Sequence, residues 1–170
     1  EKHSKQFLNL DPVIIHKVVF ESCRIKKEIV ELDEKENGKR RLLNFGHTIG
    51  HALEHLTNYS ISHGEAVAIG LLVESHISLQ QGILDQQSFE RIKNILKEYN
   101  LPLTLPSKFP LAAIIEAMVL DKKSIKGTPR FVIIDAIGSA LPFDSNYCTT
   151  IDETLITNSL QWMNDDLCCH

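Results

Sequence analysis

The sequence predicts a mainly α-helical protein, a multi-helix bundle carrying one small β-hairpin. Three observations support this expectation. Apolar residues recur at helical spacing through most of the chain. The stretch from Glu65 to Leu79 is apolar on nearly every side, as expected of a helix at the centre of a bundle. Only Arg130–Ile134 and the short segment near Ala140–Phe143 read as strands, joined through Ala136-Ile137-Gly138-Ser139. With 170 residues, 43% hydrophobic and 24% charged, the chain fits one domain, or one domain with a small appendage. A core of that size needs no disulfide or structural metal.

The elements follow in order. Asp11-Pro12 supplies an N-cap and a proline at the first helical position, and helical periodicity runs over 13–32. Ile15, Val18, Val19, Ser22, Ile25 and Ile29 form its stripe, with Lys26 near the centre. A lysine there either snorkels to water along its stem or points into a site. The polar run Asp33–Arg40 contains the turn signal Asn37-Gly38. Further helices are expected over 41–56, 64–81 (after a loop at Asn58–His63), 87–99 and 111–120. The Pro102–Pro110 stretch is a loop, and a last helix begins at Thr150–Glu153 and reaches about Met163.

Composition excludes some functions. A net charge of −4 with mixed signs argues against nucleic-acid binding. No apolar run is long enough to span a membrane, and no signal-peptide pattern occurs. Cys23, Cys148, Cys168 and Cys169 form no CxxC pair, so a reducing cytoplasm is the expected setting. The opening Glu1-Lys2-His3 lacks a Met, and an upstream partner domain is expected.

The chemistry concentrates on the second expected helix. At 3.6 residues per turn Asn44, His47, His51 and Glu54 share a face, joined by Arg40 if the helix extends back that far. A polar helical face is most often simply solvated. This one lacks the usual Lys/Glu filler, and two histidines at i,i+4 can present imidazoles to one ion. His63 stands at the turn into the most apolar helix and makes a third point. Periodicity does not say which histidines bind; His51 could equally serve as acid, base or hydrogen-bond donor. His3, His16, His55, His76 and His170 lack such grouping.

The run Leu42-Leu43-Asn44-Phe45-Gly46-His47-Thr48-Ile49-Gly50-His51-Ala52-Leu53-Glu54, followed by His63-Gly64-Glu65-Ala66-Val67-Ala68-Ile69-Gly70, resembles the signature of 3-dehydroquinate synthases. The resemblance extends to Ile25-Lys26, Asp33–Arg40, Leu120-Asp121-Lys122-Lys123, Arg130–Ile134 and Ala136-Ile137-Gly138, nearly the whole chain. It implies that residues 1–170 form the C-terminal metal- and substrate-binding helical domain of a two-domain enzyme. The NAD-binding N-terminal α/β domain is absent from this chain, which shows no GxGxxG-like turn. The implied reaction is that of a lyase. It converts 3-deoxy-D-arabino-heptulosonate 7-phosphate to 3-dehydroquinate and phosphate, in the shikimate route to aromatic amino acids. NAD would oxidise a substrate hydroxyl transiently and be regenerated at each turnover.

By the same resemblance, His47 and His63 match two ligands of zinc, or of another divalent metal such as cobalt. His51 matches a histidine on the proton-transfer path. Lys26, Arg40 and Asn44 match residues that hold the substrate's carboxylate, hydroxyls or phosphate, so Lys26 now reads as reaching into the site. One of Lys122 and Lys123 matches a phosphate contact, and Glu36 is a weaker candidate for a supporting carboxylate. Arginine and lysine suit an acidic phosphorylated sugar, a divalent metal polarises hydroxyl and carbonyl groups, and an imidazole moves protons near neutrality. The third metal ligand is expected in a Glu-x-x-Lys segment upstream of Glu1. The chain alone is therefore expected to be inactive and to hold zinc weakly or not at all, and the full-length protein to be a homodimer.

Three rivals have different consequences. Metal-dependent polyol and alcohol dehydrogenases also pair histidines before a His-Gly, but Lys26, Arg40, Asn44 and Asp121-Lys122-Lys123 favour an acidic substrate. Other sugar-phosphate cyclases, making valiolone-type or deoxy-inosose rings, are nearer, and the Arg40–Asn44 stretch favours dehydroquinate. A non-enzymatic helical interaction module would have no use for converging Lys26, His47, His51 and His63.

Overall fold

The computed structural model describes residues 1–101, 103–120, 127–143 and 146–167. Seven α-helices and a two-stranded antiparallel sheet make up the regular structure of this described part: α1 Ser4–Leu8, α2 Pro12–Leu32, α3 His47–Leu56, α4 His63–Gln80, α5 Gln86–Glu98, α6 Leu111–Leu120, β1 Ile134–Ala136, β2 Ser139–Ala140 and α7 Glu153–Asp166. The helical bundle with one small hairpin is thus the observed fold. The short α1, which no sequence pattern announced, is fastened to α5 by the Glu1–Arg91 ion pair, a Ser4–Glu98 hydrogen bond and the Phe7–Tyr99 ring contact at 5.0 Å.

Helix α4 is the axis of the bundle. Eleven of its residues are buried, including Ala68, Ile69, Leu72, Val73 and Ile77, and α3, α5 and α7 pack around it. Its start is set by a capping box: Ser62 Oγ accepts from Glu65 N, and Glu65 Oε2 accepts from Ser62 N. The closest packing is with α3. A Cβ on Gly70 would lie 1.9 Å from the carbonyl oxygen of Gly46, and one on Gly50 would lie 3.2 Å from Val67 Cα. These glycines let the two backbones touch, with the start of α3 against the second and third turns of α4.

The expected helix over 41–56 is corrected. Residues Lys39–Asn44 form a 3-10 helix, Phe45 is extended, and α3 starts only at His47. The break is Gly46, whose φ of +81° is the left-handed conformation that favours glycine. The hairpin is also shorter than expected, with β1 starting only at Ile134 and β2 ending at Ala140. Among 130–134 only Ile134 is in β1, while Phe131 pairs with Thr149 in an isolated bridge. Phe131, Val132 and Ile133 are all buried, so this apolar run inserts into the core instead of lengthening a surface hairpin. Gly138, with φ of +91°, turns the chain between β1 and β2.

Helix α2 stands apart. Asp11 Oδ1 caps it through Val13 N and Ile14 N, with Pro12 in the first turn as expected. Yet none of its 21 residues is buried. Val18, Val19, Phe20 and Ile25 are exposed, and among the described residues its main packing is against α1 and the 3-10 helix.

Candidate active site

The Gly46 break and the α3–α4 contact bring three histidines together. His47 opens α3, His51 follows one turn later, and His63 opens α4. Their ring centroids are 5.4 Å apart for His47–His51, 5.2 Å for His47–His63 and 6.0 Å for His51–His63. Two rings have their Nδ1 engaged. His47 Nδ1 donates to Phe45 O at 3.2 Å, and His63 Nδ1 donates to Glu54 Oε1 at 3.2 Å. Ligand atoms of His51, Glu54 and His63 lie within 4.8 Å of one another. Imidazole nitrogens are donors that a zinc-type ion prefers, and a carboxylate behind one of them can orient it. The residues present fit such a metal.

The second part of the site lies just before α3. Asp33 accepts backbone N–H bonds from Asn37 (3.0 Å), Gly38 (2.7 Å) and Arg40 (3.0 Å), which wraps the loop around one carboxylate. Those amides, with Arg40 first, hold its carboxyl below the usual carboxylate range. Arg40 Nη1 donates to Glu34 O at 2.8 Å, Arg41 Nε to Glu36 O at 2.9 Å, and Asn44 Nδ2 to Glu36 Oε1 at 2.7 Å. Glu36, Arg40, Leu43 and Asn44 line a polar cavity of about 170 Å³. Arg40 and Asn44 therefore belong together, but through the 3-10 helix, not through one α-helical face with the histidines.

Lys26 does not join either group. It is exposed on α2 and makes no ion pair among the described residues. Lys122 and Lys123 lie outside the described residues.

One carboxylate escaped sequence reasoning. Glu74, on α4, is fully buried, with neither oxygen in a well-formed hydrogen bond. Burial pushes its pKa up to about 8, against a weaker downward pull from the amides of Gly46, Val132, Thr48 and Ile49. Thr48 and Ile49 are in the first turn of α3, which has no side-chain cap of its own. Glu74 thus faces the end of α3 that carries His47. The available signal was a lone acidic residue inside an otherwise apolar helical run.

Comparison with known proteins fixes the family. The family model described as 3-dehydroquinate synthase C-terminal matches residues 1–124. This chain belongs to the 3-dehydroquinate synthase family, as its C-terminal part. A 3-dehydroquinate synthase of Thermodesulfovibrio yellowstonii is 45% identical over 139 residues, 81% of this chain and 39% of that protein. One of Nitrosomonas europaea is 40% identical over 156 residues, covering 91% and 42%. The chain thus spans about two fifths of the length of these curated relatives. The 2-epi-5-epi-valiolone synthase of Streptomyces hygroscopicus subsp. jinggangensis, solved with NAD+ and Zn2+ bound, shares the fold. Its TM-score is 0.78 at 20% identity, over 96% of this chain and 45% of that one. A 2-deoxy-scyllo-inosose synthase complexed with carbaglucose-6-phosphate, NAD+ and Co2+ matches with a TM-score of 0.68 at 22% identity, over 75% and 36%.

Proposed function

We propose that residues 1–170 are the metal- and substrate-binding domain of a 3-dehydroquinate synthase that acts on 3-deoxy-D-arabino-heptulosonate 7-phosphate. The whole protein would be a cytoplasmic homodimer that binds NAD through an N-terminal domain. The observation that carries this reading is the convergence of His47, His51 and His63, directly after the Arg40–Asn44 stretch that lines a polar cavity, in a chain of this family.

His47 and His63 would hold zinc or a similar divalent metal, completed by a carboxylate from outside this chain. When bound, the metal supplies Lewis acidity to the substrate's hydroxyl and carbonyl oxygens. Arg40 and Asn44 form charge-assisted and neutral hydrogen bonds to an anionic, hydroxylated substrate, and Glu36 holds the Asn44 amide in place. His51 lies on the same face of α3 as His47 and gives or takes the proton that moves during phosphate elimination. Lys26, exposed on α2, would supply a further positive charge to the substrate, and Lys122 or Lys123 a phosphate contact.

Phosphate release from this heptulosonate phosphate by the full-length protein tests the reading. We expect release with NAD and zinc present, and a loss of at least about 100-fold in kcat/KM for His47→Ala, about the size of one general acid–base or electrostatic contribution. Release only from a sugar phosphate lacking the carboxylate would point to another sugar-phosphate cyclase. Near-wild-type release by His47→Ala would overturn the assignment.

A further inference from the structure

Glu54 takes no part in the proposed chemistry, yet it occupies a distinctive place. It lies on α3 one turn beyond His51, on the face that His47 and His51 share. Its side chain is 12% exposed, whereas that of its partner His63 is 57% exposed. His63 starts α4 at the capping-box turn, and its ring meets those of His47 and His51. Its contact with Glu54 Oε1, at 3.2 Å, is the hydrogen bond that sets the direction of its Nδ1.

The tautomer follows from the bond. A carboxylate oxygen accepts, so Nδ1 of His63 carries the proton and Nε2 keeps its lone pair. His47 shows the same arrangement by other means, since the Phe45 carbonyl accepts from its Nδ1 at 3.2 Å. His63 thus has Nδ1 occupied by an acceptor, which makes Nε2 its ligand atom, and the Nδ1 of His47 is occupied likewise. A metal-bound histidine generally donates its second ring N–H to a carboxylate or carbonyl. Loss of that partner typically weakens metal binding about 10- to 100-fold.

We infer that Glu54 is a positioning residue of the metal centre, whose carboxylate orients His63 and fixes its Nδ1–H tautomer. The inference rests on His63 being a metal ligand, as proposed above. It assigns Glu54 a place behind the imidazole, not on the ion.

Zinc affinity of the full-length protein, measured by competition with a fluorescent chelator, tests this together with the His63 tautomer read from ¹⁵N–¹H NMR of the metal-free protein. We expect Glu54→Ala to weaken zinc binding about 10- to 100-fold and to shift the His63 ring towards the Nε2–H tautomer. Glu54→Gln, whose amide oxygen still accepts from Nδ1, should recover most of the affinity and keep the Nδ1–H form. His63→Ala is the control and should lose more affinity than either. Unchanged zinc affinity in Glu54→Ala beside a large loss in His63→Ala would overturn the positioning role alone. Unchanged affinity in both would overturn the metal assignment beneath it. A loss in Glu54→Gln as deep as in Glu54→Ala, with the tautomer unmoved, would make Glu54 a direct ligand and also end the positioning role.

Discussion

Helices α2 and α4 are both long and both rich in apolar residues, but they meet opposite fates. Eleven residues of α4 are buried, and its N-terminus delivers His63 to the site. None of α2's 21 residues is buried, and its stripe of Val18, Val19 and Ile25 faces outward. Apolar periodicity predicts that a helix will form; it does not say whether anything covers its face. Here α4 is covered because glycines allow α3 to approach within backbone contact. The site's precision comes from that pair, while α2 packs against the 3-10 helix that carries Arg40 and Asn44.

The comparison breaks most sharply at Gly70. A methyl group there would collide with the Gly46 carbonyl, which is backbone and cannot swing aside. Gly70→Ala should cost ~3 kcal/mol or more, at or beyond the upper end for overpacking, read by urea denaturation. It should also separate His47 from His63 and weaken zinc binding. Little or no loss would mean that the α3–α4 contact is not the rigid element described.

Glu74 gives the second test. Burial holds its folded pKa near 8, well above its ordinary value of 4.5. An acid raised in this way contributes stability that is fully present below the unfolded value and is lost as pH rises through the folded one. Thermal stability should therefore fall between about pH 4.5 and about pH 8. Glu74→Gln, neutral throughout, should flatten that slope and melt higher than the wild type at pH 8. A wild-type slope unchanged in Glu74→Gln would remove Glu74 as its source.

A smaller effect is expected at Asp33. Asp33→Ala removes the acceptor for three backbone amides and should loosen the Arg40–Asn44 cavity. KM for the acidic substrate should rise while the midpoint of global unfolding shifts only slightly, because the loop lies outside the α3–α4 core. The smallest effect belongs to α2. Val19→Ser should change this chain's stability by no more than about 0.5 kcal/mol, the usual range for surface positions. A larger loss would show that the α2 face is covered in solution.

Much of the fold was legible because its signals are local. Asp11-Pro12 marked the start of α2, and the all-round apolar run of α4 marked the bundle's axis. The i,i+4 spacing of His47 and His51 was visible too. The site was less legible where the backbone departs from regularity. The periodicity that grouped Arg40 and Asn44 with the histidines assumed one unbroken helix. Phe45-Gly46 breaks that phase, since a left-handed glycine resets the direction of every residue before it. Glu54 appeared on the polar face but without a task, because its partner His63 lies on another helix.

The sequence by itself determined most of the helices, the cap at Asp11-Pro12 and that His47 and His51 share a face. These depend on residues within a few positions of one another. Only the tertiary structure decided that His63 meets them and that Glu54 stands behind His63. It also decided that Glu74 is buried against the start of α3 and that the α2 stripe lies open. Each of these depends on which helix faces which, and that is set by close backbone approach between residues distant in the chain.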